Sequence, residues 1–126
     1  MKAFFSYLCT LKITRITYTR IKMIIYNTTY TVSNADAKNF IIWAHEVYIP
    51  KAKEGGILTN PRLCQILTHK DEETECFSLQ FEVESTALLN QWYAKNGKTL
   101  VDELVNTFGQ SIVGFATIMN DITLRA

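Results

Sequence analysis

The order of hydrophobic patterns along the chain predicts an α+β plait. Four segments alternate or cluster as strands do, two intervening stretches repeat apolar residues at helical spacing, and the connections between them are short.

Ile24 to Val32 (IIYNTTYTV) is rich in β-branched and aromatic residues. Ile24, Tyr26, Tyr30 and Val32 fall on one face and Asn27, Thr29 and Thr31 on the other, as a strand requires. Ser33 followed by Asp36 reads as a capping box that starts a helix. Ala37, Phe40, Ile41, Ala44, Val47 and Tyr48 then form its apolar stripe. Pro50 removes a backbone donor, so a kink or an end is expected near Ile49, and Gly55-Gly56 stops what is left. Thr59-Asn60-Pro61 signals a turn.

Arg62 to His69 reads as the second strand, and Asp71 to Glu75 is an acidic, solvated connection. In Cys76 to Glu84 (CFSLQFEVE), Phe77, Leu79, Phe81 and Val83 alternate strictly with Ser78, Gln80, Glu82 and Glu84, the clearest strand in the chain. Ser85 or Thr86 caps a second helix bearing Leu88, Leu89, Trp92 and Tyr93. Asn96-Gly97 interrupts that helix, and Leu100, Val101, Leu104 and Phe108 continue its stripe up to Gly109. Ile112 to Met119 (IVGFATIM) is a last strand, apolar on both faces. With right-handed crossovers, the order β-α-β-β-α-β closes into a ferredoxin-like plait: a four-stranded antiparallel sheet with both helices on one face.

Composition fits one such domain over residues 23–122, followed by a short tail at 123–126. Of 126 residues, 48% are hydrophobic and 20% charged, too apolar for a disordered chain. A net charge of +1 argues against a polyanionic partner. Cys9, Cys64 and Cys76 are odd in number and lack CxxC spacing, which fits reduced thiols in a cytoplasmic protein better than a disulfide framework. Residues 1–22 differ from the rest: they hold Lys2, Lys12, Arg15, Arg20 and Lys22 and no acid. The apolar run Ala3 to Cys9 is too short for a signal peptide core and far short of the ~20 residues that span a membrane. The segment reads as translated upstream sequence with Met23 the natural start, as a basic arm, or as an extended lead-in to the first strand. The first reading is preferred because the strand pattern after Met23 begins so cleanly.

With the helices on one side, the other face of the sheet presents Asn27, Thr29, Ser78, Gln80 and Glu82, flanked by Val113, Phe115 and Met119. That mixture is too polar for a core and too apolar at its edge for plain solvent, so a second copy packed sheet against sheet is expected.

MIIYNTTYTV from Met23, Trp43 with Tyr48-Ile49-Pro50, Leu58-Thr59-Asn60-Pro61-Arg62, Ser78 to Val83 (SLQFEV) and Trp92-Tyr93 together resemble a family of small bacterial proteins catalogued as a domain of unknown function. The resemblance covers nearly all of residues 23–122. It implies a ferredoxin-like fold of the dimeric α+β barrel type and brings no activity with it.

His45 and His69 have no partner at metal-ligand spacing, so no metal and no cofactor are expected. His69, at a strand end beside the acidic turn, is a weak catalytic candidate as a general base. Asn27, Gln80 and Glu82 are interface candidates, and Glu82 is also a carboxylate suited to proton transfer if a partner covers it. Arg62 after Asn60-Pro61 is placed to clamp an anion. Trp92 and Tyr93, like Trp43, read as a pocket lining or as ordinary core. The outward residues of the central strands are neither aromatic nor basic, and residues 23–126 are net acidic, which excludes an RNA-binding plait. The reading is therefore a non-catalytic homodimeric or partner-binding module that touches neither nucleic acid nor membrane. The alternative is a small-molecule-binding protein or cofactor-free enzyme with its site between sheet and helices, where His69, Tyr26, Trp92 or Tyr93 would reach in.

Overall fold

The computed structural model describes residues 23–123. The expectations for residues 1–22, including Cys9, lie outside the described residues, as does most of the tail.

Strand β1 (Met23–Ser33) leads into α1 (Asn34–Trp43), a π turn (Ala44–Tyr48) and α2 (Ile49–Ala52). Strands β2 (Thr59–Gln65) and β3 (Thr74–Val83) form a hairpin. Helix α3 (Thr86–Trp92) passes through a second π turn (Tyr93–Gly97) into α4 (Lys98–Phe108), and β4 (Ile112–Asp121) closes the chain. The sheet order is β2-β3-β1-β4 with every neighbouring pair antiparallel, which is the ferredoxin-like plait.

Register fixes what each face carries. Ile24, Tyr26, Thr28 and Tyr30 sit opposite Val83, Phe81, Leu79 and Phe77, and this face meets the helices. Phe40, Tyr48, Leu58, Leu89, Trp92, Leu100 and Leu104 complete the core from above. Its centre is aromatic: Phe40 packs on Tyr30 and Phe77 with ring centroids 5.0 and 5.5 Å apart.

Four local expectations need correction. Ser33 makes no capping bond, and Asp36 instead accepts a hydrogen bond from Ser111 Oγ at 2.6 Å, tying α1 to the chain just before β4. The second helix is capped as its sequence implies, with Ser85 Oγ accepting from the Leu88 amide at 3.1 Å. Of the kink or end expected near Ile49, the end does not occur at Pro50, and the irregularity there is the π turn. Beyond the π turn the Ile49 amide bonds the Ala44 carbonyl, five residues back, and the helix continues through Pro50 to Ala52. The widened turn gives the proline ring room where an α-helical carbonyl would obstruct it.

The second strand spans Thr59–Gln65 rather than Arg62 to His69. The Ile66 amide makes one more bond to the Cys76 carbonyl, and the chain then turns. Its start is irregular, with Asn60 at φ 50° and a register shift between Thr59 and Arg62. Finally, β4 runs on to Asp121 and is exposed along almost its whole length, although its sequence is apolar on both faces.

Candidate functional site

The open face of the sheet gathers four of the residues singled out by sequence. Asn27 lies opposite Gln80 on β3, and Gln80 lies opposite Arg62 on β2. Ser78 Oγ donates to Asn27 Oδ1, and Asn27 Nδ2 donates to Thr29 Oγ1 at 3.2 Å, so this polar row is already joined within one chain. Glu82 accepts from Asn60 Nδ2 at 3.0 Å. Asn60, Arg62, Gln80 and Glu82 line a depression of about 590 Å³ on this face. Arg62 has no ion-pair partner among the described residues. Beside the polar row, β4 places Val113, Phe115 and Met119 on the same face, 67%, 62% and 40% exposed.

The remaining sequence candidates lie elsewhere. His69 sits in the β2–β3 turn. Thr74 Oγ1 donates to Asp71 Oδ2 at 3.1 Å, which leaves it to accept from His69 Nε2 at 2.7 Å. These bonds staple the turn, and hydrogen bonds from the Glu73 amide and Thr74 lower the Asp71 carboxyl pKa. His69 therefore does not reach between sheet and helices. Trp92 is fully buried, and its Nε1 donates to the Ala52 carbonyl at 2.8 Å, pinning the end of α2 to the second helix. His45 is exposed on the first π turn, and Cys64 is exposed while Cys76 is buried, both as free thiols. Among the described residues no cluster of three or more His, Cys, Asp or Glu could hold a metal ion.

On the helix side of the sheet, where the alternative reading puts a small-molecule site, a cavity of about 310 Å³ lies between α4 and strands β1 and β4. Four tyrosines line it: Tyr26, Tyr30, Tyr48 and Tyr93. Tyr30 and Tyr48 are buried at its base, and Tyr93 is 47% exposed. Both helix irregularities feed it, because Tyr48 is the last residue of the first π turn and Tyr93 the first of the second. Such turns are rare and concentrate at functional sites.

Two glycines make the arrangement possible. A Cβ at Gly97 would fall 2.6 Å from the Trp92 ring and 2.7 Å from the Tyr93 ring, so only glycine lets both rings fold against this turn. A Cβ at Gly114 would meet the Tyr30 ring at 2.9 Å. Trp92 in turn braces Tyr26 edge-to-face, with centroids 5.7 Å apart.

Burial holds the phenols neutral. Desolvation is the main cause at each of three: the Tyr26 pKa is raised, that of Tyr30 is pushed up to about 12, and that of Tyr48 goes higher still, helped by its Tyr30 neighbour. The signal available in sequence was the alternation Tyr26, Thr28, Tyr30 on one strand face. What it lacked was Tyr48 from the first helix and the small residues Gly114 and Ala116 across from β1.

Comparison with known proteins adds a family. The family model described as "Domain of unknown function (DUF4286)" matches residues 23–122. No curated protein matches. Among solved structures, the chain is similar to a dimeric ferredoxin-like protein from an uncultured marine organism, at 13% identity and a TM-score of 0.49, covering 81% of this chain and 96% of that one. Among the described residues no helix is long and apolar enough to cross a membrane.

Proposed function

Because the chain belongs to the DUF4286 family, whose description carries no activity, we propose its function from the geometry: a cytoplasmic, non-catalytic module that self-associates through the open face of its sheet. The observation that carries this reading is the row Val113, Phe115 and Met119, exposed beside a band of mostly uncharged polar residues. A second copy suits that face better than an unrelated partner. A twofold axis is isologous, so the unpaired Arg62 of one copy can meet Glu82 of the other without any new charge being supplied.

The area is adequate. Strands of about ten residues at ~3.3 Å per residue, four abreast at ~4.8 Å, give a footprint on the order of 600 Å² before side-chain relief. A standard interface buries about 800 Å² per partner.

The two sheet edges differ in how they are guarded. β2 is guarded by Pro61, a positive-φ Asn60 and a register shift, the devices that blunt an edge. From Ile112 to Met119, β4 carries neither proline nor charge.

Sedimentation velocity of the full chain over a wide concentration range tests this. A reversible dimer is expected, weakened about tenfold or more by the double substitution Gln80→Ala, Glu82→Ala. Self-association left unchanged by those substitutions would remove the interface assignment, and a monomer at all concentrations would remove the proposal.

A further inference from the structure

The tyrosine-lined cavity lies on the helix side of the sheet, and of its lining residues only Phe115 also belongs to the open-face row. We propose that it is a binding site for an uncharged, flat, largely apolar small molecule whose carbonyl oxygen accepts a hydrogen bond from the tyrosine cluster at its base.

Three features of the lining carry this. First, no charged side chain lines the cavity, since the rest of its lining is Thr28 and apolar residues of α4 and β4. An anion or a cation would therefore meet no counter-charge there. Second, the polar groups of the lining are hydroxyls, those of Tyr26, Tyr30, Tyr48, Tyr93 and Thr28. Each can donate an O–H, and a carbonyl is the group that accepts one without offering a competing proton. Third, the cavity lies between α4 and the strands β1 and β4, and β4 contributes the side-chain-poor Gly114 and Ala116 to one wall. Its volume of about 310 Å³ sits at the lower end of the range of roughly 300–1,000 Å³ typical of small-molecule sites, enough for two fused rings.

The first helix is bent into a π turn at the point where it delivers Tyr48, and the second at the point where it delivers Tyr93. Both departures from α geometry fall at residues that line this cavity, and Tyr48 also packs on Phe81 in the core, with ring centroids 6.4 Å apart.

The test uses 6-propionyl-2-(dimethylamino)naphthalene, a neutral fused-ring ketone whose emission responds to hydrogen bonding at its carbonyl, titrated into the full-length protein. Saturable binding is expected. Naphthalene, lacking the carbonyl, and 2-naphthoate, carrying a negative charge, should each bind about tenfold more weakly or worse. Tyr48→Phe should weaken the ketone by about 2–10-fold, the span of one neutral hydrogen bond. Ala116→Trp, which fills the cavity from an exposed position on β4, should abolish binding, and Thr117→Trp on the neighbouring residue of the open face should leave it unchanged. If Ala116→Trp does not fold, Val101→Trp from the helix wall takes its place. Equal affinity for 2-naphthoate, insensitivity to a filled cavity, or loss of binding in Thr117→Trp alone would each overturn the proposal.

Discussion

Strands β3 and β4 flank β1 on its two sides, each ten residues long and antiparallel to it, and their fates are opposite. β3 buries Cys76, Phe77, Leu79, Phe81 and Val83, whereas β4 buries Ile112 alone. Composition suggests the reverse, since β3 carries Glu75 and Glu82 while Ile112 to Met119 of β4 holds no charge. What separates them is the reach of the helices: α1 packs on β1 and β3, and α3 packs on β3. A strand's hydrophobicity thus says that it wants cover, and the neighbouring elements decide whether it has any within one chain. On its helix side β4 borders the tyrosine cavity, and on the other side it borders solvent.

The sharpest way to break this contrast is to truncate the β3 residue at the centre of the core. Phe81 is 1% exposed and faces Tyr26 across the sheet. Phe81→Ala is expected to cost about 3–5 kcal/mol, the range for deleting a buried aromatic ring. Urea denaturation read by far-UV circular dichroism checks it. A loss under 1 kcal/mol would mean that β3 is no better anchored than β4.

The sequence made β3 legible because its main determinant is local. Strict alternation sets the face, although the strand begins at Thr74, two residues earlier than the expected Cys76 and inside the stretch read as an acidic connection. The end of β2 was not legible, since His69 and Thr74 are drawn into the turn by a carboxylate at Asp71 that no pattern on β2 announces. The π turns were hidden for a different reason: one extra residue in a helix shifts the apolar stripe by about 100°, which short stripes absorb without an obvious break. Thus Pro50 looked like a kink or a stop when the turn before it had already made room. Of the candidate site, the open-face row Asn27, Gln80 and Glu82 followed from parity along two strands, and the structure adds Arg62 to it. The cavity was legible only in its place between sheet and helices, because its lining needs Tyr48 and Gly114, far apart in the chain, to arrive beside Tyr30.

A pH series isolates the β4 side of the molecule, where the buried phenols are. Tyr30 has its folded pKa raised from 10 to about 12, and that of Tyr48 is raised further. For an acid whose folded pKa is raised, the unfolded chain releases its proton first, so this stability is fully present below pH 10 and is lost as pH climbs through the folded value. Unfolding free energy should therefore hold steady, as far as these two phenols decide it, to about pH 9.5. It should then fall from pH 10 to 12 by up to ~1.4 kcal/mol per pH unit for each phenol. Tyr48→Phe should remove one phenol's share of that slope, measured by urea titrations at pH 8, 10 and 11. Identical alkaline slopes in the two proteins would mean that Tyr48 is solvated.

The smallest expected effect is also the most discriminating. Phe115 is 62% exposed on the open face of β4, so within one chain its ring has little to lose. In dilute solution Phe115→Ala should change unfolding free energy by no more than about 0.5 kcal/mol, as surface substitutions do. Self-association changes the arithmetic. If β4 finds its cover in a second copy, the parent protein gains stability as its concentration rises, because only folded chains pair. Phe115→Ala should flatten that rise while leaving the dilute limit alone. The two proteins would then coincide at low concentration and diverge at high concentration. A large loss already present in the dilute limit would mean that β4 is covered within a single chain, and the contrast with β3 would lose its basis. Parallel behaviour at every concentration would leave β4 a bare edge, and its apolar face would then need a partner other than itself.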